Sequence, residues 1–258
     1  MTTDIIVPTF GQEVHTCRCF ESIARHTRDY RLVWLDNGST AESRGAVMPA
    51  FERSKKRLSV WCGSNLGFVA GVNTALAIVL DHLPSDCKYV VLQNNDTVVT
   101  SGWLGRMIRV LERDKRVAAV GPVTAHRGPS LQSWEGALSV AQRPDYDSMS
   151  VDQRAEHLWR VNGDRYEHTG VVTFFCTVFR RSVFEEIGRL DPEYGVGLWD
   201  DHDLCVRIRK AGLTPAVALG AYVFHNHRTT FKAVMSAEEI EQEKQKNRAV
   251  FLSKHGSA

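Results

Sequence analysis

The chain has 258 residues, of which 43% are hydrophobic and 24% are charged, a balance typical of a globular protein with one large α/β domain. Its formal net charge of +2 gives no basis for nucleic-acid binding. The sequence has no apolar run of the roughly 20 residues that span a bilayer, no secretory-signal pattern at its N-terminus and no C-x-x-C pair. We therefore expect a reduced, cytoplasmic protein without a transmembrane segment.

In the first half of the chain, β-prone segments alternate with helical apolar patterns. This alternation predicts a mostly parallel sheet flanked by helices. The predicted strands lie at 4–8, 31–36, 58–62, 89–93 and 117–121.

The second half is less regular. We predict loops and short strands for 124–169, a strand for 171–181, a short helix for 201–212 and one or two strands for 214–225. Ser236 and Glu239 have the spacing of a capping box, which opens a highly charged final helix that we expect to be solvated.

We see no linker that would separate two domains. We predict one domain over 1–235, with two halves at 1–123 and 124–235. The C-terminal helix occupies 236–258.

Polar clusters follow several of the predicted strands. They are "PTFG" from Pro8, "DNGS" from Asp36, "GSNLG" from Gly63, "NND" from Asn94 and "WDD" from Trp199. Any one of them can be read as a turn, because Asn, Asp and Gly are common turn residues. The carboxyl ends of parallel strands share one edge of a sheet, so the clusters together predict a binding site.

The chemistry of the side chains suggests roles. Asp96 is a hard oxygen ligand suited to Mg²⁺ or Mn²⁺, and a neutral His225 is a second candidate ligand. Asn94 and Asn95 have amides that can bond a ribose or a metal-bound water. Asp36 can accept a hydrogen bond from a nucleobase or a ribose, although taken alone it is better explained by an Asx-turn before Gly38.

Three acids stand close together in "WDDHD". Asp200, Asp201 and Asp203 lie at a predicted helix start, where acids favour the helix dipole. Crowding or burial of such acids raises a pKa toward that of a general base.

The order of these motifs resembles the family 2 glycosyltransferases of the GT-A fold. The matching segments are "IIVPTFG", "LDNGS", "NLGFVAGVN", "LQNNDT", "RRSVFEEIGRLD", "WDDHDLCVRIRKAG" and "VFHNH". Within the family, "W-D-D-x-D" with a downstream His is most similar to the galactofuranosyl transferases, and "NNDT" also occurs in rhamnosyl transferase-like proteins.

The resemblance implies inverting transfer of a sugar from a nucleotide-diphosphate donor, a UDP- or dTDP-sugar, to an acceptor hydroxyl. Pro8, Thr9 and Asp36 would hold the nucleoside, with Asn65 beside it, and Asp201 would be the general base. Asp96 would bind Mn²⁺ or Mg²⁺ with His225, while Asn94, Asn95, Trp199 and Asp200 would contact the substrate. "NND" has one acid where the family carries a D-x-D-type motif. The resemblance also implies that 1–123 is a nucleotide-sugar-binding half and 124–235 an acceptor and catalytic-base half.

The acceptor class is open between a glycan, a lipid-linked molecule and a protein. A lipid-linked acceptor would make docking on a membrane surface useful. Two other functions remain open at this point. One is a degenerate nucleotide-sugar-binding module without turnover, and the other is a Mg²⁺-dependent nucleotidyltransferase. The sequence "VPTFGQEVH" after the first strand disfavours the latter, which usually has a basic, Gly-rich loop there.

Overall fold

The computed structural model describes residues 3–83, 87–125, 130–139, 142–226 and 235–256. Within these ranges, nine strands form one sheet. They are β1 (Thr3–Thr9), β2 (Tyr30–Asp36), β3 (Arg57–Trp61), β4 (Tyr89–Gln93), β5 (Thr97–Val99), β6 (Val117–Val123), β7 (Tyr166–His168), β8 (Cys176–Arg180) and β9 (Thr214–His225). The strand order is β3-β2-β1-β4-β8-β6-β9-β5, and β7 pairs with β9.

Helices cover both faces of this sheet. They are α1 (Glu13–His26), α2 (Ala41–Phe51), α3 (Phe68–Ala77), α4 (Trp103–Arg113), α5 (Trp134–Ala137), α6 (Val151–Asn162), α7 (Asp200–Lys210) and α8 (Ala237–His255). α3 continues into a π-helical turn, Ile78–His82, and a 3₁₀ turn, Pro192–Tyr194, precedes α7.

The core forms two apolar layers because successive side chains of a strand point to opposite faces. In β1, Ile5 and Val7 pack in the layer with α1, α2 and α4, whereas Ile6 packs in the layer with α3, α6, α7 and α8. All three side chains are fully buried. The continuous apolar sequence of β1 therefore reflects a strand that is covered on both faces.

The pairing directions bring the carboxyl ends of six strands to one edge. β1, β2, β3 and β4 are mutually parallel. β8 runs antiparallel to both β4 and β6, and β9 is parallel to β6, so β6 and β9 point the same way as β4. Thr9, Asp36, Trp61, Gln93 and His225 consequently end their strands at this edge. The predicted mostly parallel α/β sheet is confirmed.

The prediction of loops and short strands for 124–169 is wrong for α6. Ser150 caps this helix, since its side chain accepts from the backbone N–H of Gln153 while the Gln153 side chain accepts from the backbone of Ser150. The side chains that α6 buries are Ala155, Leu158 and Asn162. A small residue and an amide among its buried positions weaken the apolar period, which explains why the helix is hard to recognise.

The predicted strand at 171–181 is also shorter than expected. Only Cys176–Arg180 forms β8, whereas the preceding residues 171–175 cross the carboxyl edge of the sheet. Phe175 and Val172 are buried there despite their irregular backbone. β-propensity identified an apolar segment correctly but not the point at which it enters the sheet.

The final helix carries the predicted capping box of Ser236 and Glu239. It is not simply solvated, because Ile240, Asn247 and Phe251 are buried against the rest of the domain. No helix in the described ranges is long and apolar enough to cross a membrane. None of the six cysteines, all of which lie in the described ranges, forms a disulfide.

Candidate active site

The candidate metal ligands Asp96 and His225 are neighbours. Thr97 of β5 pairs with His225 of β9, which brings the preceding Asp96 next to the imidazole. His225 Nε2 lies 3.1 Å from Asp96 Oδ1, and both side chains are at least nine-tenths buried. The ring of Phe175 stacks on the imidazole, with 4.9 Å between ring centroids and 8° between planes.

This pair fits a divalent cation. Two adjacent ligands of an octahedral Mg²⁺ or Mn²⁺ are about 3 Å apart, the separation found between the carboxylate oxygen and the imidazole nitrogen. One oxygen and one nitrogen ligand also suit Mn²⁺. Across the described residues, no group of three or more His, Cys, Asp and Glu side chains is placed to hold a metal ion. Oxygen atoms of a bound ligand and water would therefore complete the coordination of an ion held by Asp96 and His225.

Asn94 and Asn95 bend the chain between β4 and β5. The backbone N–H of Asn94 donates to Phe175 O at 2.8 Å, and the Asn94 carbonyl accepts from the Thr97 hydroxyl at 2.7 Å. Asn95 is buried and donates from its amide to Thr16 Oγ1. The Asn94 side chain is partly exposed, which leaves it the better placed of the two amides for contact with a substrate.

Asp36 is a fully buried carboxylate at the end of β2. Its Oδ1 accepts from the backbone N–H of Ser39, so the side chain stabilises the turn after β2, as the Asx-turn interpretation expects. Its Oδ2 lies 3.0 Å from a guanidinium nitrogen of Arg44, whose guanidinium also lies over the ring of Trp61. Trp61 pairs with Asp36 across β2 and β3 and is half exposed. The Asp36 carboxylate, the Arg44 guanidinium and the exposed indole of Trp61 therefore lie together where a nucleoside is expected.

The turns after β2 and β3 are locked together. Asn37 donates from its side-chain amide to Asn65 Oδ1 and to Gly67 O, and its Oδ1 accepts from the backbone N–H of Leu66. Gly38 has φ +93°, and a Cβ there would lie 2.5 Å from the backbone of Ser64. Glycine is therefore required by both conformation and close approach.

Pro8 and Thr9 end β1 beside this pair of turns. The Thr9 hydroxyl is committed within the core, because it accepts from Trp34 Nε1 at 2.8 Å and is buried. Pro8 is partly exposed, and so is the following residue, Phe10. The Thr9 carbonyl is also bonded, since it accepts from the backbone N–H of Asn37 at 2.8 Å.

The three acids at the start of α7 occupy different environments. Asp203 is buried and bonded to three side chains, namely Arg207 at 2.8 Å, His255 at 2.7 Å and Tyr194 at 3.4 Å, so it is tied into the structure. Burial and the charge of Asp201 together raise the pKa of Asp200 to about 8. A carboxyl group with that pKa retains its proton at neutral pH.

Asp201 is the most exposed of the three acids, and it forms a pair with the next residue. Its Oδ1 accepts at 2.8 Å from both the backbone N–H and the Nδ1–H of His202. Within the described ranges no hydrogen bond is formed to its Oδ2. Burial lowers the pKa of His202, but the hydrogen bond to Asp201 and the negative charges of Asp201 and Asp200 outweigh it, so the pKa is raised overall.

The backbone before these acids is unusual. Leu198 and Trp199 have φ of +69° and +79°, a conformation that costs a non-glycine residue about 1–2 kcal/mol. Trp199 is the N-cap residue of α7, and its side chain makes no capping bond. Neither Asp200 nor Asp201 is the N-cap residue, since both lie in the first turn of α7, where Asp201 accepts from the backbone N–H of His202. The indole of Trp199 instead packs against His202, with 4.6 Å between ring centroids.

Two connections bring the acids to the strand ends. On one side, the segment 171–175 links them, because Cys205 of α7 donates to Val172 O while Phe175 contacts His225. On the other side, Val69 N–H at the start of α3 donates to Gly195 O. These contacts connect α7 and the segment before it to the strand-end residues through 171–175 and the start of α3.

Comparison with known proteins agrees with this architecture. The family model described as glycosyl transferase family 2 matches residues 4–188. The chain belongs to glycosyl transferase family 2. The matched region includes Asp36, Asn65 and Asp96, whereas Asp200, Asp201 and His225 lie beyond it, so the roles of these three depend on geometry.

Solved structures with the same fold are GT-A glycosyltransferases. GalNAc-T7, solved with UDP, GalNAc and Mn²⁺, has a TM-score of 0.62 at 10% identity over 87% of this chain and 44% of its own. The mannosyltransferase PcManGT of Pyrobaculum calidifontis, solved with GDP-Man and Mn²⁺, has a TM-score of 0.61 at 17% identity over 99% of this chain and 76% of its own. The predicted GT-A fold of this family 2 member is confirmed.

A relative by sequence is the uncharacterized protein y4gI of Sinorhizobium fredii. It is 23% identical over 226 residues, which cover 86% of this chain but only 24% of the relative. The family 2 chain therefore spans about a quarter of the length of this curated relative.

Sequence reasoning missed several residues of the site, among them Arg44, Phe175, Trp61 and His202. Arg44 neutralises Asp36 from the first turn of α2, and its signal was a basic residue shortly after a strand-end acid. Phe175 orients His225 by stacking, and nothing local in the sequence distinguishes it from its neighbour Phe174, which packs on Phe179 instead.

Proposed function

We propose that the protein is an inverting, metal-dependent glycosyltransferase. It would transfer a sugar from a nucleotide-diphosphate donor to an acceptor hydroxyl in a single displacement. The observation that carries this proposal is the pairing of Asp96 with His225 at the carboxyl edge of the sheet. The two related folds were solved with a nucleotide or nucleotide sugar and Mn²⁺, which supports the donor class and the metal.

Asp96 and His225 would hold Mn²⁺ or Mg²⁺ against the diphosphate. The bound ion would supply Lewis-acid stabilisation of the charge that develops on the leaving group. Asp36 and Arg44 would hold the nucleoside, with the exposed ring of Trp61 beside it. Donor recognition is thereby assigned to residues at the ends of β2 and β3.

Asp201 would act as the general base. Its Oδ1 is fixed by His202, and Oδ2 would accept the proton of the acceptor hydroxyl as that oxygen attacks the anomeric carbon. Burial and the charge of Asp201 raise the pKa of the neighbouring Asp200 to about 8, which favours its protonated form. The reaction forms one C–O bond, breaks the bond to the diphosphate and inverts the anomeric centre.

The donor is tested by a thermal-shift screen with Mn²⁺. UDP- and dTDP-sugars are expected to raise the melting temperature, as the likeness to the galactofuranosyl and rhamnosyl transferase branches implies, and GDP-mannose is included for comparison. The acceptor class, a glycan, a lipid-linked molecule or a protein, is then searched with the donor that binds.

The base is tested with Asp201→Asn. This variant should bind the donor as the wild type does but lose transfer, because an amide cannot accept the proton. Asp164→Asn, on the exposed loop after α6, is the matched control. Near wild-type turnover by Asp201→Asn would refute the assignment.

Two other functions give different results in the same assays. A binding module would bind the nucleotide sugar without hydrolysing or transferring it. A nucleotidyltransferase would release pyrophosphate from a nucleoside triphosphate.

A further inference from the structure

The segment Gly195–Trp199, which leads into the two acids, does not hold its shape through local preference. Gly195, Gly197, Leu198 and Trp199 all have positive φ, from +47° to +105°. For Leu198 and Trp199 this conformation is strained, so surrounding contacts must impose it. A relaxed segment would move the start of α7 and with it Asp200 and Asp201.

The C-terminal helix α8 provides such contacts. Asn247 is fully buried, and its side-chain amide donates to Tyr194 O at 3.1 Å and to Gly197 O at 2.6 Å. These two carbonyls flank the first positive-φ residue of the segment. One side chain therefore fixes the backbone on both sides of the turn.

A second contact lies one helical turn further along α8. The buried ring of Phe251 packs against Trp199, with 5.1 Å between centroids, and against His202, with 6.2 Å. Both partners adjoin the proposed base, Trp199 by preceding the acids and His202 by bonding Asp201. Asn247, Phe251 and His255 follow one another at a spacing of four residues, so they lie on one face of the helix.

We propose that α8 is a clamp that holds the strained segment in the conformation needed for catalysis, with Asn247 and Phe251 as positioning residues. The effect of the clamp on catalysis rests on the proposed function, whereas its effect on the conformation of Gly195–Trp199 does not. A helix that contributed only general stability would bury apolar side chains without directing a buried amide at two carbonyls of this segment.

The structural consequence is tested by hydrogen–deuterium exchange of the full chain, without any substrate. In Asn247→Ala, amides of residues 195–203 are expected to exchange at least about tenfold faster, while peptides from β1 and β2 keep wild-type rates. Gln245→Ala, which removes a side-chain amide from the exposed face of the same helix, is the matched control and should match the wild type. Unchanged exchange at 195–203, or an equal increase throughout the sheet, would overturn the clamp.

The catalytic consequence is tested by steady-state kinetics on the same variants. Displacement of the base by a fraction of an ångström to an ångström is expected to lower kcat by about 10- to 100-fold, while the Kd for the donor with Mn²⁺ is unchanged. Loss of donor affinity with an unchanged kcat would overturn the assignment of Asn247 and Phe251 as positioning residues.

Phe251→Leu is the second variant, used if Asn247→Ala does not fold. It keeps an apolar side chain but removes the ring contact with Trp199, and the same two readouts are expected to change. If exchange changes as expected but the wild type transfers no sugar, the proposed function fails and the clamp stands.

Discussion

Asp200 makes the stability of the domain depend on pH in an unusual direction. Its pKa rises from 3.8 to about 8 in the folded protein, chiefly through burial and next through the charge of Asp201. Below pH 3.8 the carboxyl is protonated in both the folded and the unfolded chain and does not lower the free energy of unfolding. Between that pH and about 8 the unfolded chain releases the proton and the folded chain keeps it, so the free energy of unfolding falls as pH rises.

The slope is about 1.4 kcal/mol per pH unit, which gives about 4 kcal/mol at pH 7 and about 6 kcal/mol in total. Asp200→Asn removes this dependence because an amide does not ionise. Urea unfolding of both proteins from pH 5 to pH 9 should show a difference in free energy that grows in favour of the variant up to about pH 8 and then levels off. Parallel curves for the two proteins would refute the buried, protonated carboxyl.

The charge of Asp201 is the second cause of the raised pKa of Asp200. Neutralising Asp201 therefore tests the origin of the pKa shift. In an Asp201→Asn background, the difference produced by Asp200→Asn should level off at a lower pH. If neutralising Asp201 leaves the levelling-off point where it was, the two acids are not coupled.

Three further changes have separate readouts. Asp96→Ala should weaken Mn²⁺-dependent donor binding in calorimetry while leaving binding in EDTA unchanged, and an unaltered Mn²⁺ requirement would count against Asp96 as a ligand. Arg44→Ala should lower the free energy of unfolding by about 2 kcal/mol, because it leaves the Asp36 carboxylate buried without its cation. The control is Arg53→Ala, which removes an exposed ion pair and should lower the free energy of unfolding by under about 1 kcal/mol. Ser150→Ala should cost about 1 kcal/mol by removing the cap of α6, with Ser253→Ala as the control; equal stability of both would contradict the capping box.

The strand-end half of the site could be predicted because it follows from topology. Parallel strands must end at one edge, so polar residues that follow apolar segments had to converge, and Asp36, Asp96 and His225 do so. Their individual partners could not be predicted, since Arg44 and Phe175 approach from elements whose packing depends on the whole fold.

Helix α6 illustrates a different limit. Its Ser150 and Gln153 have the capping-box spacing, but Asn162 occupies a buried position, where its amide donates to Ala137 O and Leu219 O. A polar residue that is satisfied by tertiary hydrogen bonds looks exposed in the sequence. The buried positions of α6 recur with helical spacing, but Leu158 is the one large apolar side chain among them.

In "WDDHD", residue type alone could not assign separate roles to the three aspartates. Three neighbouring aspartates have identical intrinsic chemistry, and only burial and partners separate them into an anchor, Asp203, a protonated neighbour, Asp200, and a candidate base, Asp201. Those partners include His255 on α8, some fifty residues further along the chain. The positive φ of Leu198 and Trp199 has no local signal either, because nothing in those side chains favours it. A strained entry to the acids persists only while distant contacts hold it, so the chemistry of this motif depends on a helix that lies outside the region matched by the family model.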